Sequence, residues 1–133
     1  MSRYCLDTSA YSHFKRGNPQ LVDLIDRAAW IGVPAIVIGE LETGFLLGGQ
    51  RERNRADLGE FLRHPVVEEL PVTGEVGEIY AEIVASLRQQ GTPLPSNDIW
   101  IAATAARWGA PVLTCDAHFS AIERISTLLL PPG

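Results

Sequence analysis

The sequence predicts a three-layer α/β/α domain around a central, mainly parallel sheet of four to five strands. Short apolar runs alternate with longer segments of helical periodicity, the pattern of strands joined by helices and covered on both faces. At 133 residues the chain, read as one domain over 1–133, has room for a single core. Parallel neighbours then need right-handed crossovers, which bring helices onto both faces of the sheet.

Tyr4-Cys5-Leu6 forms the first strand and ends in Asp7-Thr8-Ser9, whose carboxylate and two hydroxyls suit the cap of a helix over 10–15. After Pro19, residues Leu21, Val22, Leu24, Ile25 and Ala28 recur at helical spacing, and Trp30-Ile31-Gly32-Val33 follows as a buried strand. Val37, Ile38, Leu41 and Phe45 repeat at three and four from Pro34 until Gly48-Gly49 breaks the helix. A further helix is predicted over 54–63, then a strand over 66–70. Thr73 caps a strongly amphipathic helix that runs to Gln90 and stops at Gly91. Residues 92–95 form a loop, Ser96 or Asn97 caps a helix to Trp108, and the strand 111–115 ends at Asp116. Residues 125–130 add an edge strand.

Apolar residues make up 46% of the chain and charged residues 20%, an ordinary globular balance without linkers or low-complexity tracts. The N-terminal stretch meets Asp7 before any signal-like apolar run develops, and no segment reaches transmembrane length, which predicts a cytoplasmic protein. Cys5 and Cys115 are too few for a disulfide scaffold, lack the paired spacing of a zinc site, and read as buried thiols.

In parallel α/β sheets the ligand crevice lies beyond the carboxyl ends of the strands, and Asp7 and Asp116 directly follow predicted strand ends. Asp98 falls in the first turn of its helix, where the positive end of the dipole favours a carboxylate. Glu40 belongs to or borders the buried face of the helix 35–47. Singly, each residue has an ordinary explanation as a cap, a turn residue or a surface side chain. Four carboxylates in one crevice, however, require a cation. A donor set of oxygen alone points to Mg2+ or Mn2+ rather than zinc, and phosphate is then the natural group to bind. The net charge of −5 argues against a nucleic-acid ligand until these four are set aside, which leaves 12 acidic residues against 11 basic ones.

Four segments appear in order: Tyr4-Cys5-Leu6-Asp7-Thr8-Ser9, Val37-Ile38-Gly39-Glu40-Leu41, Asn97-Asp98-Ile99-Trp100-Ile101-Ala102-Ala103 and Leu113-Thr114-Cys115-Asp116-Ala117-His118-Phe119. Together they resemble the PIN-domain family, and within it the VapC-type ribonuclease toxins of toxin–antitoxin modules. The resemblance spans nearly the whole chain and implies a PIN-like nuclease domain. It assigns Asp7, Glu40, Asp98 and Asp116 to a catalytic Mg2+ or Mn2+ site, with Thr8 and Thr114 either positioning substrate and ligands or simply capping. It further implies hydrolysis of RNA phosphodiester bonds by water activated at the ion, a homodimer, and a cognate antitoxin that blocks the site. A housekeeping RNA-processing nuclease is the alternative within the family.

Other residues divide between function and structure. His118 either touches the site or caps its own turn, whereas His13 and His64 have no clustered partners. Glu42 points about 200° around the helix from Glu40 and is expected in solvent. Arg51, Arg53 and Arg55 serve either as phosphate contacts or as a solvated helix start. Trp100 and Trp108, two turns apart, suit core or dimer packing. Two competing readings stay open: a phosphatase with Asp7 as nucleophile, which lacks the usual second Asp because position 9 is Ser9, and a silent binding module that keeps only the fold.

Overall fold

A computed structural model of the chain describes residues 2–131; Met1, Pro132 and Gly133 lie outside it. Its elements are β1 (Arg3–Leu6), α1 (Thr8–Lys15), α2 (Pro19–Arg27), β2 (Trp30–Pro34), α3 (Ala35–Leu47), α4 (Arg51–Leu62), β3 (Val67–Leu70), α5 (Gly74–Gln90), α6 (Ser96–Trp108), β4 (Val112–Thr114), a 3-10 helix (Ala117–Ala121) and β5 (Thr127–Leu129). All five strands pair in parallel, in the order β3-β2-β1-β4-β5. This is the predicted three-layer α/β/α architecture, with helices filling the crossovers between the strands.

The chain adds β2 and β3 on one side of β1, then returns through α5 and α6 to add β4 and β5 on the other. The topological switch point therefore lies between β1 and β4, where connections leave in opposite directions and open a crevice. Both strands are apolar on both faces: Cys5, Leu6, Val112 and Leu113 are fully buried. The register Leu6↔Leu113 brings their carboxyl ends level, so whatever follows each strand emerges side by side. Asp7 follows β1 directly, and Asp116 lies two residues past the end of β4.

Local chemistry sets the boundaries. Asp7 caps α1 and Asn18 caps α2, each through its side-chain oxygen, while Thr73 Oγ1 accepts from Val76 N at the start of α5. Gly91 and Gly109 end α5 and α6 at φ 69° and 63°, a left-handed conformation that glycine adopts without a Cβ clash.

Several boundaries differ from expectation. α4 begins at Arg51 rather than Asn54, because Glu52 in its first turn favours the helix dipole as soon as the glycine break is passed. α6 carries no side-chain cap; it starts after Pro95, with Ser96 and Asn97 already inside it. The last strand is confined to Thr127–Leu129 and pairs only with β4. Cys5 is buried as expected, but Cys115 is only partly so, since β4 ends at Thr114 and the chain turns outward there. Glu42 stands at the surface, away from the contacts of Glu40, and pairs there with Arg55 at 3.1 Å. No helix among the described residues is long and apolar enough to cross a membrane.

Candidate active site

Asp7 is 4% exposed, an expensive position for a carboxylate, and the surrounding polar groups show how it is tolerated. Its Oδ1 accepts from Ala10 N at 2.8 Å and from Ser9 Oγ at 2.9 Å. Thr114 Oγ1 donates to Oδ2 at 2.6 Å. Thr114, itself fully buried at the end of β4, also accepts from Asp116 N at 2.8 Å, and Ser9 Oγ accepts from Cys115 N at 3.0 Å. The turns after β1 and β4 are thus tied together by two hydroxyls, and capping and site-building prove to be one arrangement. Burial pushes the Asp7 carboxyl above its ordinary value despite these donors, and the nearby Asp116 adds to the rise.

Glu40 faces the same end of the sheet from α3. Thr8 Oγ1 donates to its Oε1 at 2.6 Å, and Asn97 Nδ2 donates to its Oε2 at 3.3 Å. Asn97, expected as a possible cap, has its amide turned to Glu40 instead, which links α6 to α3 and α1. Asp98, one residue on, is raised above its ordinary value by burial and by the charges of Asp116 and Glu40, against the lowering effect of His118. His118 Nδ1 lies 3.1 Å from Asp98 Oδ2 and 3.3 Å from Asp116 Oδ1. Asp116 Oδ1 also accepts from His118 N at 2.9 Å, which caps the 3-10 helix. Both readings of His118 therefore hold at once.

All four predicted carboxylates come to one end of the sheet, two from strand ends and two from crossover helices. Among the described residues, none of them is paired with a lysine or arginine. Oxygen donors held in place, mutual repulsion and no arginine or lysine counter-charge are what a divalent ion requires, so the donor set fits one. Asp98, Asp116 and His118 each offer a ligand atom within 4.8 Å of the others.

From the sequence, Ser9 and Asn97 read only as caps, and His118 as either a site contact or a cap. Ser9 and His118 each stand two residues after an aspartate that caps a turn, a spacing that returns a side chain or backbone N–H to the carboxylate. Asn97 adjoins Asp98 but gave no signal of its own. Away from the site, Trp100 stacks on Tyr80 with ring centroids 3.9 Å apart, and Trp108 stacks on Trp30 at 5.9 Å, so both pack within the molecule. Arg51 and Arg53 are exposed on α4.

The model of the PIN domain matches residues 4–125. Ribonuclease VapC4 of Mycobacterium tuberculosis is 31% identical over 99 residues, covering 74% of this chain and 76% of its own length. VapBC2 from Rickettsia felis, solved bound to a DNA fragment from the promoter, superposes with a TM-score of 0.85 at 24% identity, over 96% of this chain and 98% of that one. VapBC-5 from Mycobacterium tuberculosis, a member of the VapBC family of toxin–antitoxin systems, superposes with a TM-score of 0.77 at 25% identity, covering 98% of this chain and 100% of its own. The span matched holds all four acidic residues and the whole of the β1–β4 switch point, and the chain belongs to the PIN domain family, as a relative of the VapC ribonucleases.

Proposed function

We propose that residues 1–133 form a single nuclease domain: an endoribonuclease that hydrolyses RNA phosphodiester bonds with Mg2+ or Mn2+ and serves as the toxin of a toxin–antitoxin pair. The observation that carries this reading is the convergence of Asp7, Glu40, Asp98 and Asp116 at the switch point with no lysine or arginine counter-charge. The named ribonuclease relative supports the substrate class, and the VapBC toxin–antitoxin system among the solved relatives supports an antitoxin partner. A homodimer and a cytoplasmic location belong to the same proposal.

A bound divalent ion supplies Lewis-acid stabilisation of charge on the phosphate and lowers the pKa of water. The chain supplies position. Thr114, Ser9 and the Ala10 N–H hold the Asp7 carboxylate in one orientation, and Thr8 and Asn97 hold Glu40. Preorganised ligands of this kind spare the site reorganisation when the phosphate arrives. The backbone and side chain of His118 anchor Asp116 and Asp98 across the mouth of the crevice.

Purified protein, separated from any partner, is expected to cut RNA in Mg2+ or Mn2+, to stop in EDTA, and to lose on the order of 10^3-fold in rate as Asp98→Asn. Full activity of that variant in EDTA would sink the proposal.

A further inference from the structure

His118 contributes the one nitrogen donor in a site otherwise made of oxygen. Its Nδ1 sits between two carboxylates that come from different elements, 3.1 Å from Asp98 Oδ2 and 3.3 Å from Asp116 Oδ1. The root of the side chain is fixed, because its backbone N–H donates to Asp116 Oδ1 at the start of the 3-10 helix. The side chain is 51% exposed, which leaves the ring open to solvent and ions at the mouth of the crevice. Nδ1 and one oxygen from each aspartate lie within 4.8 Å of one another, so the three side chains form one compact group of donors.

We propose that His118 Nδ1 is itself a ligand of the divalent ion, and that this nitrogen biases the site toward transition-metal ions such as Mn2+ or Co2+ over Mg2+. The inference rests on the reading of Asp98 and Asp116 as ligands given under Proposed function. Mg2+ takes oxygen ligands in a strict octahedron and dehydrates reluctantly, so it gains little from an imidazole. First-row transition ions accept imidazole readily, with affinity rising along the series from Mn2+ through Co2+. Ligation through Nδ1 requires the tautomer with the ring proton on Nε2, and half-exposure of the ring gives that proton access to water.

The test compares binding of Mn2+, Co2+ and Mg2+ to the full chain as wild type, His118→Ala, His118→Asp and Asp98→Asn, by calorimetry and by pulsed electron paramagnetic resonance of the Mn2+ form. In the wild type, imidazole 14N couplings to Mn2+ are expected. In His118→Ala they disappear, Mn2+ and Co2+ affinity falls at least about tenfold, and Mg2+ affinity stays within about twofold. His118→Asp, which restores an oxygen donor, is expected to recover Mn2+ affinity without the 14N signal. Absence of 14N coupling in the wild type, or an equal loss of all three ions in His118→Ala, would overturn ligation and leave His118 as a positioning residue. Failure of the metal site as a whole is recognised separately: Asp98→Asn would then bind every ion as well as the wild type does. Melting temperatures in EDTA confirm that each variant is folded.

Discussion

At the end of the sheet where the strands begin, Arg3 lies 4.6 Å over the Trp30 ring, Trp30 stacks on Trp108, and Arg107 lies 5.7 Å from the Trp108 ring. Arg107 also pairs with Glu75 at 2.8 Å, and Trp30 Nε1 donates to Glu68. At the end where the strands finish, four carboxylates gather, and the His118 imidazole touches two of them, Asp98 and Asp116. β1 and α6 build both ends: β1 carries Arg3 and delivers Asp7, while α6 starts at the Asp98 turn and finishes at Trp108. The helix dipole is matched at each, by a carboxylate in its first turn and by Arg3 Nη2, which donates to Trp108 O. One end satisfies its own charges and aromatic faces. The other holds four carboxylates that no lysine or arginine pairs among the described residues, and that contrast separates a structural seam from a candidate site.

The largest expected effect sharpens this contrast directly. Asp7→Asn should reduce RNA cleavage on the order of 10^3-fold with little loss of fold, because the amide keeps the shape but not the charge. Trp108→Ala should do the reverse, lowering stability by about 2–3 kcal/mol in urea unfolding while the rate per folded molecule stays within about twofold. A large loss of rate in Trp108→Ala would show that the two ends are coupled.

A smaller effect concerns pH. Burial raises the Asp7 and Asp98 carboxyls above the ordinary value of 3.8 in the folded chain. A raised folded-state value means a contribution to stability that is complete below about pH 3.8 and lost as pH rises through the folded-state value. In EDTA, Asp98→Asn should therefore melt higher than the wild type at pH 7, with the difference shrinking toward pH 4; thermal melts at the two pH values check this. Saturating Mn2+ should reverse the order by stabilising the wild type alone. The smallest effect is at the seam: Arg3→Ala should cost about 0.5–1 kcal/mol, the usual range for an exposed cation–π contact, and an unchanged urea midpoint would remove Arg3 from it.

Much of this division was legible beforehand. Apolar runs followed by Asp7 and Asp116 mark central parallel strands whose ends line a crevice, so both residues could be placed from local pattern and topology alone. Glu40 was harder, since its facing depends on how α3 rolls against α1; Thr8 and Asn97, which settle that, come from 32 and 57 residues away. His118 and the Trp30 seam were obscure for the same reason. An imidazole bridging two carboxylates, or a tryptophan folded over Gly32 so closely that a Cβ there would lie 2.5 Å from its ring, is a product of three-dimensional packing and leaves no periodic trace. Helix starts at Arg51 and Ser96 were misjudged where a dipole or an extended proline, rather than a capping side chain, sets the boundary.

The hydrogen bond from Thr114 to Asp7 joins residues 107 positions apart. At a synthesis rate of about 5–20 residues per second, Asp7 waits on the order of 5–20 s for the strand that completes its pocket. A chain emerging from the ribosome thus presents Asp7 well before Thr114 and Asp116 exist to build a pocket around it. The chemistry proposed for this crevice cannot begin until the segments on both sides of the switch point have been made and paired.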